Sequence, residues 1–236
     1  MRFFLAMLFP LLLFGGSYKA VIEPYDKMTL KSEVSGRIVK LDLKDEMRVV
    51  NKKLIEIDHY LESEKLKNYT KKLDILNKEI ALKRGQYNRI KNLRGENRFT
   101  KERYESELLN LLMQRSDLLN MIAELKDRIS KKNIYVKNLY VKKLYVREGE
   151  FVGVGAKLAD LEDQRGSRLV LFISLKDREN IKNSKILING KEDSGFVIDK
   201  IGDSPDSKYI SSYRLELVNL KKLPYGKLVD VEIVKK

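Results

Sequence analysis

A repeat cut in two constrains this chain more than any other feature. Lys40-Leu41-Asp42-Leu43-Lys44-Asp45-Glu46 returns as Lys143-Leu144-Tyr145-Val146-Arg147-Glu148-Gly149-Glu150. Met47 to Asp58 then returns as Phe151 to Glu162, with Val50/Val154, Leu54/Leu158, Ile57/Leu161 and Asp58/Glu162 in step. A long, charged, heptad-patterned stretch separates the copies. Two small β-halves flanking a helical excursion predict one β-domain with a coiled-coil hairpin inserted into it. The second copy carries a turn glycine, Gly149, that the first lacks.

The change of period marks the inserted part. From Ile38 onward the first half alternates apolar and polar residues, as a half-buried strand does. From about Tyr60 the spacing becomes three and four: Leu66, Tyr69, Leu73, Leu76, Ile80, Lys83, Tyr87 and Ile90 form an a/d seam with one polar break at Lys83. Arg94-Gly95-Glu96-Asn97 interrupts it as a turn, and Thr100 then reads as a helix N-cap. Tyr104, Leu108, Leu111, Arg115, Leu118, Ile122, Leu125 and Ile129 repeat the seam, with a break at Arg115. Two arms of about 32 residues, each about 48 Å long, make an antiparallel hairpin. Leu109, Leu112, Met113, Leu119 and Met121 lie off the seam and widen the apolar face of the second arm, which fits either contact with another subunit or partner or simple local packing.

Beyond the second half, short strand-like runs at Leu169 to Leu175, Lys185 to Asn189, Gly195 to Ile201, Tyr209 to Leu217 and Lys227 to Val234 alternate with turns. The turns sit at Asn189-Gly190, Ser204-Pro205-Asp206 and Pro224-Tyr225-Gly226, and Asp177 to Ile181 reads as a short helix. A closed β-barrel fits this pattern, because closure removes sheet edges. The expected organisation is α+β and multidomain. A leader spans 1–20, the split β-domain 21–59 and 132–163, the hairpin 60–131 and the barrel 164–236.

Composition excludes several kinds of chemistry. The 236 residues contain no cysteine and one histidine, His59, so thiol catalysis, thiolate metal sites and histidine relays have nothing to draw on. His59 reads as a boundary residue closing the first β-half. No cofactor, metal or catalytic residue is expected. The formal charge of +14 would suit nucleic acid or an anionic surface. Acidic residues interleave with the basic ones, however, as in Lys101-Glu102-Arg103-Tyr104-Glu105, and no nucleic-acid motif accompanies them. Arg2, the apolar run Phe3 to Phe14 and the small residues Gly15-Gly16-Ser17 and Ala20 read as an export signal, cut after Ser17 or Ala20 or kept as an anchor. The body of the protein is therefore expected outside the cytoplasm.

The order of parts resembles the periplasmic adaptor proteins, or membrane fusion proteins, of tripartite efflux and secretion systems (HlyD-like). Val34-Ser35-Gly36-Arg37-Ile38 is similar to the first strand of that family's lipoyl-like domain. Val146 to Leu158 resembles its second-half pattern of spaced valines and glycines. Gly195 to Ile201 and Leu223 to Val231 resemble its barrel segments. Members that dock a TolC-like outer-membrane duct carry an arginine, a leucine four residues later and a serine or threonine seven beyond that, and Arg89, Leu93 and Thr100 have that spacing. The resemblance implies a split lipoyl-like domain, a non-enzymatic role, residence in the periplasm against the inner membrane, and self-association into a ring. It also implies two partners, an inner-membrane transporter and the outer-membrane channel. A proton-driven transporter of the resistance-nodulation-division (RND) type is favoured, with an ABC-type exporter as the alternative.

Two features depart from the family pattern. Ile134-Tyr135-Val136 and Leu139 stand where an alanine-proline is usual, and the membrane-proximal domain is expected to be very small or missing. Two other readings compete. Asp26-Lys27-Met28 resembles the tripeptide of a lipoyl or biotin carrier but lies ahead of the first strand. An envelope coiled-coil protein unrelated to transport would share the hairpin but leave the repeated halves unexplained.

Overall fold

The computed structural model describes residues 16–95, 97–192 and 195–235. In chain order the elements are β1 (Gly16–Val21), β2 (Glu23–Lys31), β3 (Gly36–Leu41), a 3-10 turn (Leu43–Asp45), β4 (Arg48–Ile57), α1 (Tyr60–Lys91), α2 (Arg98–Lys132) and β5 (Asn133–Leu144). There follow β6 (Phe151–Val152), β7 (Lys157–Ser174), α3 (Leu175–Asn180), a second 3-10 turn (Ile181–Asn183), β8 (Ser184–Ile188), β9 (Val197–Ile201), β10 (Ser212–Asn219) and β11 (Leu228–Lys235). Two compact units result. Among the described residues, one comprises 30–137 and 143–159; the other comprises 16–29, 138–142 and 160–235. The long strands β5 and β7 supply residues to both.

In the first unit the two halves of the repeat interlock. β3 pairs antiparallel with β4 from its own half and with β6 from the other, Gly36 opposite Val152 and Arg37 opposite Phe151. The backbone N–H of Ile38 donates to Glu150 O at 2.8 Å, and Gly149 N–H donates to Ile38 O at 2.8 Å. Ser32 and the Gly155-Ala156 turn exchange a further pair of backbone bonds. Leu41 with Leu144, Leu54 with Leu158 and Ile57 with Leu161 are buried alike, as the repeat predicts. Val154 is the exception. It lies exposed in a turn, and Val152 is buried instead. Glycine matters at Gly36, where an added Cβ would stand 2.5 Å from Ile57 Cγ2. The expected turn glycine of the second copy, Gly149, has φ +89°; the first copy reverses with Met47 at φ +63°, a left-handed conformation held by a non-glycine residue.

The hairpin belongs to the same unit. α1 and α2 have 32 and 35 residues, or about 48 and 52 Å. Every seam position named from the sequence is buried or half-buried except Arg115, and Ile80, Leu108 and Leu111 form its best-covered core. The two polar breaks are answered across the hairpin. Lys83 Nζ donates to Glu107 Oε2 at 2.7 Å, and Arg115 Nε donates to Asn77 Oδ1 at 2.9 Å. Of the off-seam residues, Leu112 packs into that core. Leu109, Met113, Leu119 and Met121 stay exposed, but at about 100° per residue they fan around α2 instead of making one stripe.

The second unit joins the first of the described strands to the last. β11 lies between β1 and β8, and β10 between β7 and β9, with β2 also on β7. Leu169, Leu171, Ile173, Leu215, Leu217, Val231 and Ile233 fill the core between these sheets, together with Ala20 and Ile22 from the N-terminal strands. Three expectations change here. Residues 16–20, assigned to the leader, form β1, in register with β11 from Gly16 opposite Ile233 to Ala20 opposite Val229; the rest of the leader, 1–15, lies outside the described residues. Residues 21–29, assigned to the first β-half, belong instead with the C-terminal strands. Among the described residues the ladders make two separate sheets over one core, with β8 and β9 as edges, and not a continuously closed barrel. The predicted Asn189-Gly190 turn has φ +51° and +74°, as a two-residue hairpin turn requires.

Candidate docking tip of the hairpin

The far end of the hairpin is where an elongated insertion can meet something else, so its geometry decides what the insertion can do. α1 ends at Lys91, and Asn92, Leu93 and Arg94 lead to Gly95 at φ +89°, a conformation that suits glycine. Glu96, part of the predicted turn, lies outside the described residues. The cap of α2 differs from expectation. Asn97, not Thr100, is the N-cap: its Oδ1 accepts from Phe99 N–H at 3.0 Å, and its backbone carbonyl accepts from Thr100 N–H at 3.1 Å. Thr100 is the third residue of the helix, half-buried, and its hydroxyl is not needed for capping. Lys101 Nζ reaches back to Leu93 O at 3.1 Å, tying the start of α2 to the end of α1.

The three predicted residues therefore gather at one tip. Arg89 is exposed on the last turn of α1, and Leu93, four residues on, is half-exposed just beyond it. Thr100 is on the first turn of α2. Among the described residues no side-chain hydrogen bond or ion pair engages Arg89 or Thr100, and Arg89 and Leu93 are exposed while Thr100 is half-buried. The spacing did not reveal Phe99, which is 72% exposed beside the cap, although an aromatic residue next to a turn is a readable signal of a contact surface. Arg94 and Arg98 add positive charge, with Arg98 paired to Glu102 at 2.7 Å.

The root of the hairpin is built to hold the insertion firmly. Lys132, the last residue of α2, is only 7% exposed; its ammonium donates to Asp58 O at 2.7 Å and to the carboxylate of Glu62 in the first turn of α1. Burial alone would raise the pKa of Glu62, but hydrogen bonding from Lys132 and the backbone, with the nearby charges of Lys132 and Arg128, outweighs it and holds the carboxyl below its ordinary value. His59 precedes α1 with Nδ1 2.8 Å from Ser63 Oγ and Nε2 3.3 Å from Glu56 Oε1, which is a boundary residue's set of contacts.

The carrier tripeptide lies elsewhere and is engaged in structure. Lys27 sits within β2 with its ammonium 2.8 Å from Glu23 Oε1. No group of three or more His, Cys, Asp or Glu able to hold a metal ion occurs among the described residues, and no helix there is long and apolar enough to cross a membrane.

No protein-family model and no curated sequence matches the chain. Solved structures do. The membrane fusion protein Spr0693 from Streptococcus pneumoniae R6 superposes with a TM-score of 0.69 at 11% identity, over 94% of this chain and 99% of that one. MacA from Actinobacillus actinomycetemcomitans gives 0.58 at 15% identity, over 94% and 79%. ZneB from Cupriavidus metallidurans gives 0.50 at 15%, over 94% and 98%. The chain thus has the fold of membrane fusion and periplasmic adaptor proteins, and at these identities the likeness is one of fold.

Proposed function

We propose that the chain is the periplasmic adaptor subunit of a tripartite efflux system, linking an inner-membrane transporter to an outer-membrane channel. One observation carries the reading. A hairpin about 50 Å long, clamped at its root by Lys132, carries at its tip Arg89, Leu93 and Thr100, whose side chains make no hydrogen bond or ion pair among the described residues. The arginine offers a planar fork of donors for carboxylates or backbone carbonyls of the channel. Leu93 supplies an apolar contact and Thr100 a hydroxyl. The interlocked halves act as the split lipoyl-like domain that stacks into a ring around the conduit, with the exposed apolar residues of α2 between neighbours. The C-terminal sheets take the role of the barrel and face the transporter, with the RND type favoured. The protein is not an enzyme in this reading and needs no cofactor.

The test is capture from membranes under mild detergent, followed by identification of the bound proteins. The unaltered chain should bring down both a transporter and a channel. A variant carrying Arg89→Ala and Leu93→Asp should lose the channel and keep the transporter. Retention of the channel by that variant would overturn the docking assignment, and the absence of any transporter from either capture would overturn the adaptor role.

A further inference from the structure

Beside the clamp at the hairpin root, and wholly within the first unit, an open cleft of about 440 Å³ lies where the two helices meet the strand pair β3–β6. Arg37 of β3, Leu61 and Lys65 of α1, Arg128 and Lys132 of α2, and Phe151 of β6 all line it. Strand pairing sets Arg37 opposite Phe151, and Leu61 and Lys65, four apart in the first two turns of α1, share one helix face.

The lining is cationic once every charge in it is counted. It holds four cations, Arg37, Lys65, Arg128 and Lys132, and two carboxylates, Asp58 and Glu62, a surplus of two positive charges. Both carboxylates are engaged within the fold. Glu62 accepts from Lys132, and Asp58 Oδ1 accepts from Tyr60 N–H at 3.0 Å. Acids adjoining these segments face other groups: Glu56 pairs with Lys53, Glu64 with Lys67 and Asp127 with Lys131, and Glu150 accepts from Arg147 N–H. Glu124 lines a separate depression that shares only Arg128 with this cleft.

The cations keep donors free. Arg37, Lys65 and Arg128 make no hydrogen bond or ion pair among the described residues. Lys132 is only 7% exposed, and it commits two of its three N–H groups, to Asp58 O and to Glu62, which leaves the third unassigned. Beside these donors stand two bare apolar side chains, Leu61 at 70% and Phe151 at 74% exposure.

This pairing selects a ligand with two characters. A guanidinium takes a carboxylate or sulfonate through two parallel N–H···O bonds, so an anionic group answers the arginines. An aromatic or alkyl body answers Leu61 and Phe151. A neutral apolar molecule would leave the guanidinium groups unpaired, and an inorganic anion would leave the apolar side chains bare.

We propose that the cleft binds a small amphipathic organic anion, an aryl or alkyl carboxylate or sulfonate, with Arg37 and Arg128 holding the anionic group and Leu61 and Phe151 covering the apolar body. Because the cleft is lined by β3, β6 and both helices, an occupant bridges the hairpin to its β-domain and stabilises their junction. The inference is independent of the adaptor reading, since it is tested by binding to the chain alone.

The full chain contains no tryptophan, so the emission and anisotropy of a naphthalene probe can be followed without tryptophan fluorescence. Titration with 1-naphthylacetate, the uncharged 2-(1-naphthyl)ethanol and the cationic 2-(1-naphthyl)ethylammonium tests the site. The acid should bind about tenfold more tightly than the alcohol, and the ammonium more weakly than both. Arg37→Gln with Arg128→Gln should weaken the acid about tenfold and leave the alcohol unchanged. Leu61→Ser with Phe151→Ser should weaken acid and alcohol alike. Lys71→Gln with Lys126→Gln, which removes the same charge from exposed positions outside the cleft, should change neither. Saturating 1-naphthylacetate should also raise the thermal midpoint of the helical signal in the unaltered chain and not in the Arg37/Arg128 variant. Circular dichroism confirms that each variant is folded. Equal affinity for the acid and the alcohol, an unchanged Arg37/Arg128 variant, or equal loss in the Lys71/Lys126 control overturns the proposal. A chain that self-associates in solution, becomes monomeric with Leu61→Ser and Phe151→Ser, and takes up no probe would overturn it too, making the cleft an interface between copies.

Discussion

Lys83 Nζ lies 2.7 Å from Glu107 Oε2, joining α1 to α2 at the single polar break in the α1 seam. The hydrogen bond between them raises the lysine's pKa and lowers the carboxylate's. An ammonium at an a/d position costs packing but fixes which residues of the two helices face each other. Replacing either partner by alanine should lower the thermal midpoint of the helical signal slightly, and the double replacement should lower it by less than the two single effects combined, a non-additivity read from a double-mutant cycle. Lys83→Leu should raise the midpoint while loosening register, seen as broadened interhelical distances between spin labels on α1 and α2.

At the hairpin root, Lys132→Met should be costly. It leaves the Glu62 carboxylate and the Asp58 carbonyl without their shared donor, and breaking such a buried pair costs about 3 kcal/mol. Chemical denaturation followed by circular dichroism measures it. The pH dependence has a definite sign. Because the folded pKa of Glu62 is depressed, its contribution is present above the unfolded value near 4.5 and is lost as pH falls through the lower folded value. The unaltered protein should lose stability below pH 4.5, and the part of that loss due to Glu62 should be missing in Lys132→Met.

Two positions in the first β-half, Gly36 and Met47, predict opposite responses to glycine chemistry. Gly36→Ala forces a Cβ against Ile57 Cγ2 and should destabilise by about 1–3 kcal/mol. Met47→Gly relieves a left-handed non-glycine residue and should stabilise by about 0.5–1 kcal/mol. Paired denaturation curves check both, and a stabilised Gly36→Ala would mean that the β3–β4 approach is looser than described.

What was legible in the sequence was local and periodic. The seam from Leu66 to Ile90, its partner from Tyr104 to Ile129, the Asn189-Gly190 turn and the buried Leu54/Leu158 pair all follow from spacing that neighbouring residues impose. The misreadings arose where distant partners decide. Gly16 to Ala20 reads as the tail of a leader because its strand partner, β11, is the last of the described strands. Asn97 and Thr100 are both competent caps, and the reversal at Gly95 selects the first. Val154 matched the repeat by type but sits in a turn between two glycines, so it cannot fill the place of Val50. At the hairpin tip the spacing of Arg89, Leu93 and Thr100 is readable, and Phe99 beside the turn is a further readable signal whose 72% exposure the fold supplies.

The central claim is that the hairpin tip, and not its shaft, meets the outer-membrane channel. A photo-cross-linking residue placed at Leu93, and separately at the exposed mid-shaft position Lys78, tests this in intact cells. The account predicts a cross-link to the channel from position 93 that disappears when Arg89→Ala is added, and none from position 78. A channel cross-link of equal strength from position 78, or none from position 93 in cells that express the channel, would contradict it.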